Sequence, residues 1–157
     1  MNKQAGQIMV EALIALGVAV VIIAAITSMI ISALSSAIAA KNQDLATQYA
    51  KQGMEVLRNI SKTNWTYFST LNDKYCLKEG SNTLDAFDPG IPKGCDQNVG
   101  IFIRQVQIET SSPSCQNSSR IIVSVFWSDN KCRSSDDLFC HSVSLESCFS
   151  NVSNVSE

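Results

Sequence analysis

The residues of this chain that could do chemistry beyond packing are six cysteines, Cys76, Cys95, Cys115, Cys132, Cys140 and Cys148, and one histidine, His141. Thiols with an imidazole make either a nucleophile with its base or a zinc site. The spacing suits neither. A Cys–His nucleophilic pair needs converging side chains, and Cys140 and His141, neighbours on a strand expected to start at Phe139, point to opposite faces. Zinc held by Cys132, Cys140 and His141 would lack a Cys-x-x-Cys pair, and the gaps are wide for a knuckle. The acids Asp136 with Asp137, and Asp85 with Asp88, lie among turn formers, where carboxylates are solvated or cap backbone N–H groups. No phosphate-cradling glycine loop, GxSxG elbow or HExxH helix is present. The expectation is a protein that is not an enzyme and uses no cofactor or metal, with cysteines that form disulfides.

One further carboxylate is out of place. Glu11 stands at the start of an apolar stretch from Gly6 to Ala40, and after it no formal charge occurs for 29 residues, until Lys41. As a helix that gap is roughly 43 Å long, against a bilayer hydrocarbon core of about 30 Å. Composition favours helix: proline is absent, and the one interior glycine, Gly17, costs only about 1 kcal/mol relative to alanine. An acidic side chain at the centre of such a helix costs about 2.5 to 3.5 kcal/mol, and less toward its end, so an intramembrane carboxylate is a functional candidate by default.

A short leader containing Lys3, then Gly6, a glutamate at the fifth place after that glycine and an uninterrupted apolar helix resemble the amino-terminal signature of type IV prepilins and type II secretion pseudopilins. The resemblance implies that Gly6 ends a leader cut by a prepilin peptidase. Gln7 would then be the mature, N-methylated amino terminus, and Glu11 would meet the amine of a neighbouring subunit inside a filament. It implies as partners other pilin or pseudopilin subunits, the peptidase and an inner-membrane assembly platform. It also implies a single pass through the cytoplasmic (inner) membrane before assembly into a cell-surface or periplasmic filament. A buried charge needs such a partner of opposite sign. The chain departs from major pilins at Gln7, where they carry Phe, and at Ser28, where they carry a kinking proline. EALIAL is closer to minor pilins and minor pseudopilins, as are VSVFWSD and HSVSLESCF near the carboxyl end.

The expected organisation is a leader at 1–6, a membrane or filament-core helix at 7–40 and one small extracytoplasmic domain at 41–157. Apart from Lys3 and Glu11, 11 basic and 13 acidic residues are scattered over that domain, without the basic stripe a nucleic-acid binder needs. All six cysteines follow the apolar stretch, which fits an oxidising exterior, and positive charge at Lys3 and the amine keeps the amino terminus inside. Two alternatives share these features. One is a single-pass binding module or adhesin that never polymerises. The other is a secreted domain released near Ala39, where AIAA satisfies a small-x-small cleavage rule.

Within the domain the helix is expected to continue over 41–60. Leu45, Ala46, Tyr49, Ala50, Met54, Val56, Leu57 and Ile60 form one broad apolar stripe, made to lie on a sheet. Residues 61–100 carry turn formers with isolated aromatics, Trp65, Tyr67, Phe68 and Phe87, expected as satellite core, and little regular structure is expected from Glu79 to Gly100. From Gly100 the period changes to two. Strands are expected from Ile101 to Glu109, over IIVSVFW with Ile121, Val123, Val125 and Trp127 inward, and from Phe139 with Phe139, Val143 and Leu145 inward. Three strands joined by such turns make an antiparallel meander over 101–149, followed by a polar tail at 150–157. The fold class is therefore α+β, a long helix packed on a small antiparallel meander. Six cysteines permit 15 pairings. In a meander Cys115 and Cys148 fall at one end and Cys132 and Cys140 flank the turn at the other, which leaves Cys76 with Cys95. Five Asn-x-Ser/Thr sequons, at Asn59, Asn64, Asn117, Asn151 and Asn154, follow from Asn and Ser richness and are not expected to carry glycans.

Overall fold

The computed structural model describes residues 3–110, 112–116, 118–129, 132 and 139–151, with side chains from residue 9 onward. Asp136, Asp137, Asn117, Asn154 and most of the expected tail lie outside them. The chain divides into two compact units, Met1–Asn42 and Gln43–Glu157. Helix α1, Lys3–Thr63, supplies the described structure of the first unit and enters the second. It takes in Lys3 to Gly6, which the sequence reading kept outside the fold. Lys, Gln and Ala are good helix formers, and a nucleated helix extends through such residues at little cost.

In the second unit Asn64 ends α1 and starts α2, Trp65–Phe68, its side chain accepting the Tyr67 N–H at 3.0 Å. Five antiparallel strands follow: β1 Lys74–Cys76, β2 Asp85–Ala86, β3 Ile103–Thr110, β4 Ser119–Trp127 and β5 His141–Phe149, in the spatial order β2-β1-β3-β4-β5. The meander is there as β3-β4-β5, widened by two short strands from the segment expected to be loop. Strands of three and two residues carry no readable alternation, and they exist by pairing: Tyr75 lies opposite Val106 on one side and Ala86 on the other. A 3-10 turn at Pro92–Gly94 completes that segment. Its Gly94 has φ +72°, and a Cβ there would run into the Phe87 ring.

The core lies between the amphipathic half of α1 and the sheet. Ala46, Ala50, Met54 and Leu57 are buried from the helix, and Val106, Ile108, Ile121, Val123, Val125 and Trp127 from β3 and β4, with Val143 and Leu145 packed at the β5 side. Gly53 lets the backbones close in, since a Cβ there would lie 3.0 Å from Cγ1 of Val123 and 3.1 Å from Cδ of Arg104. Phe68 is fully buried in this core, with Trp65 partly buried beside it and Tyr67 half exposed.

β3 places Arg104 in the same inward row as Val106 and Ile108, an exception to apolar filling that explains its imperfect alternation. The guanidinium donates from Nε to Leu77 O (3.0 Å), from Nη1 to Tyr49 O (3.1 Å) and from Nη2 to Lys78 O (2.8 Å), tying α1 and the residues after β1 to β3. Burial lowers its pKa, with Glu79 and Tyr49 opposing. The opposite sheet face carries a second, smaller cluster of Cys76, Cys95 and Ile103, with Phe87, Phe126 and Phe139 against it. Phe139 therefore does not face the main core. β5 begins two residues later, at His141, and Phe139 before it packs on the other face.

Three disulfides close the domain: Cys76–Cys95, Cys115–Cys148 and Cys132–Cys140, with Cα separations of 5.7, 5.7 and 5.4 Å. The second ties the turn after β3 to the end of β5, and the third joins the segment after β4 to the entry of β5. Such cross-links matter most in a domain whose single core is small.

Candidate functional site

Helix formation over residues 9–38 follows from a run of apolar residues with no proline, and among the described residues its large aliphatic side chains stay exposed. Every Met, Val, Leu and Ile from Met9 to Ile38 is more than half exposed. A helix apolar on all sides belongs inside hydrocarbon or a bundle of other helices. By length and composition this one can cross a membrane. Two of its hydroxyls are satisfied locally: the Thr27 hydroxyl donates to Ile23 O at 2.8 Å and the Ser36 hydroxyl to Ser32 O at 3.0 Å. Hydroxyls turned back onto their own helix leave no donor unmet in an apolar medium.

Glu11 is the exception. It is exposed on this helix between Val10, Ile14 and Ala15, and no cation pairs with it among the described side chains. Gly6 and Gln7 lie in the same helix, one turn or so before it. The arrangement can do two things: bury a large apolar surface, and place one carboxylate at a fixed height on it for a cation from elsewhere.

The other candidates from the sequence sort differently. Asp85 pairs with Lys78 at 3.0 Å, and Asp88 accepts the Gly90 N–H at 2.8 Å, so these two acids hold a loop together. Asn59 lies within α1, and Asn64 is occupied as a cap. Cys140 and His141, argued apart on strand geometry, are brought together, because Cys140 precedes β5 and is free of its alternation. Asp129 joins them, a residue the sequence reading did not single out. Donor atoms of Asp129, Cys132, Cys140 and His141 all lie within 4.8 Å of one another. The available signal was Asp129 three residues before Cys132, a turn spacing, closed here by Cys132 N–H to Asp129 O at 3.1 Å.

On the exposed sheet face Arg120 bridges two acids, donating to both oxygens of Glu146 (2.6 and 2.8 Å) and to Glu109 (3.0 Å). These bonds hold the Glu146 carboxyl below its ordinary pKa and raise that of Arg120. The triad lies across three strands and reads as sheet cross-bracing.

Comparison with known proteins finds no matching family model, no matching characterised protein and no matching solved structure. The architecture, a long apolar amino-terminal helix whose second half packs on an antiparallel sheet, is pilin-like.

Proposed function

We propose that this chain is a minor subunit of a type IV pilus or related pseudopilus, a filament component without catalytic activity. The observation that carries the reading is one helix with two solvents. Its first part is apolar all round and uncovered, with Glu11 at the fifth place after Gly6, and its second part is amphipathic and seated on a disulfide-bonded sheet. Before assembly the first part resides in the cytoplasmic membrane, with the domain in the oxidising space outside. A prepilin peptidase cuts after Gly6, Gln7 becomes the methylated amino terminus, and an assembly platform moves the subunit from lipid into a bundle of related helices. Van der Waals packing of Met9–Ile31 against those helices supplies cohesion, and contact of Glu11 with a neighbour's amine sets axial register, since a carboxylate in a dry bundle is stable only when paired.

The test is the mature amino terminus, read by intact and peptide mass spectrometry in cells with and without a prepilin peptidase. A chain starting at methylated Gln7 only when the peptidase is present is the expected result. An intact Met1 would instead make it an anchored binding module, and a start at Ala40 a secreted domain. Glu11→Ala is expected to stay in the membrane and lose filament incorporation, and filaments carrying it at normal stoichiometry would refute its assigned role.

A further inference from the structure

We propose that Asp129, Cys132, Cys140 and His141 form a two-state site, a disulfide staple when oxidised and, when both thiols are reduced, a tetrahedral site for one zinc-class divalent cation. The ligands are Sγ of both cysteines, Nε2 of His141 and one carboxylate oxygen of Asp129.

Three observations carry this. The first is convergence. The four donor atoms lie within 4.8 Å of one another, and donors of a tetrahedral site with bonds of about 2.0 to 2.3 Å stand roughly 3.3 to 3.8 Å apart. The nitrogen and oxygen need move inward by about 1 Å at most, and the released sulfurs outward. The second is an orphaned atom. His141 Nε2 is buried and has no hydrogen-bond partner among the described residues, although Oδ2 of Asp129 is 3.1 Å away. Stacking on buried Trp127, with centroids 5.3 Å apart and planes 20° apart, holds the ring in that direction. A buried imidazole nitrogen that faces a carboxylate without hydrogen-bonding to it is costly, and a cation between the two would take its lone pair. The third is a supporting bond already in place: the Asp129 N–H lies 3.4 Å from Cys132 Sγ, as N–H groups do when they stabilise a ligating thiolate. Two sulfurs, one imidazole and one carboxylate select zinc or cobalt over magnesium and calcium.

The states exclude one another because the same sulfurs serve both. A dithiol reductant gives two electrons and two protons to the Cys132–Cys140 bond and becomes a disulfide itself. Cation binding then displaces both thiol protons. A disulfide oxidant reverses this: it takes two electrons from the thiolates and two protons from solvent, the sulfur–sulfur bond re-forms and the cation leaves. This is also the disulfide most open to exchange. Cys140 is exposed and Cys132 half-buried; Cys148 is exposed too, but its partner Cys115 is buried, as are both Cys76 and Cys95.

The experiment uses the full chain in detergent, a phosphine reductant, alkylation mapping of the opened thiols, and Co2+ as probe. Cys132 and Cys140 are expected to open first. The reduced chain should then take up one Co2+, with tetrahedral ligand-field bands and thiolate charge-transfer absorption that zinc abolishes. Cys132→Ser with Cys140→Ser should show no such absorption. His141→Gln and Asp129→Asn should each weaken binding by at least about 10-fold while the disulfide still closes on oxidation, which shows that the fold persists. The proposal is overturned if another disulfide opens first, if the chain reduced at these two cysteines binds no Co2+, if the oxidised chain binds it equally, or if His141→Gln leaves binding unchanged.

Discussion

Between Met9 and Ile38 every large aliphatic side chain is more than half exposed, whereas Leu57, Val106, Ile121, Val123 and Val125 are wholly buried. The two regions use the same residue types, and one helix runs through both. They differ in where polar residues interrupt the pattern. In the second half of α1, charges at Lys51, Glu55 and Arg58 leave one apolar stripe, which the protein's own sheet covers. In the first half no charge interrupts for 29 residues, no face is polar, and the large aliphatic side chains are exposed on every side. The globular unit covers its own apolar stripe. The apolar segment has no such cover among the described residues.

The most direct way to break this contrast is to separate the regions. A chain beginning at Gln43 is expected to remain soluble without detergent and to keep all three disulfides, while the full chain partitions into membranes. Sucrose-gradient fractionation and thiol counting under denaturing conditions check both. A truncated chain that aggregates or shows free thiols would mean that the first unit supports the second.

Core truncation should discriminate next. Leu57→Ala removes a fully buried side chain and is expected to cost the globular unit about 2 to 5 kcal/mol, whereas Ile22→Ala removes one more than half exposed and should leave thermal unfolding of the domain unchanged. Circular dichroism melts of both variants in one detergent decide it.

A pair of glycines sharpens the contrast, because one substitution should have opposite signs. A Cβ at Gly17 meets nothing within 4 Å, so Gly17→Ala should only strengthen the helix, by about 1 kcal/mol. At Gly53 the new Cβ presses on Val123 at the centre of the sheet and on Arg104, whose guanidinium is fixed by three carbonyls, so neither gives way easily. Gly53→Ala is expected to lower domain stability by about 1 to 3 kcal/mol, measured by denaturant melts.

How much of this was legible depended on the length of each signal. The apolar run, the helical stripe through Ala46, Ala50, Met54 and Leu57, and the alternation of Ile121, Val123, Val125 and Trp127 are long and periodic, and they announce the helix, its covered face and the central strand. The meander they imply also brings Cys115 to Cys148 and Cys132 to Cys140, the pairs that are bonded. β1 and β2 were not legible, because strands of three and two residues have no period and depend on partners far along the chain. Arg104 was misleading by type and readable by position, two residues before Val106 in the inward row. The cluster around His141 was hidden by a boundary error of two residues. Starting β5 at Phe139 sends Cys140 and His141 to opposite faces, and starting it at His141 releases Cys140 to converge.

The smallest expected effect concerns charge, and it too separates the regions. Glu146 is held below its ordinary value of 4.5, chiefly by the hydrogen bonds from Arg120. A carboxylate with a lowered folded-state pKa contributes stability that is fully present above the unfolded value and is lost as pH falls through the folded one. The domain melting temperature should therefore begin to drop below about pH 4.5 through this group, and Glu146→Gln should flatten that part of the acid limb. The triad is solvent-exposed, so the effect should be small and shrink further in high salt. Glu11→Gln tests the same reasoning from the other side. It removes a carboxylate on a helix segment outside the domain, so it should leave the acid limb of the domain melt where it was. A shift of that limb by Glu11→Gln as large as that caused by Glu146→Gln would mean that the two regions are electrostatically coupled.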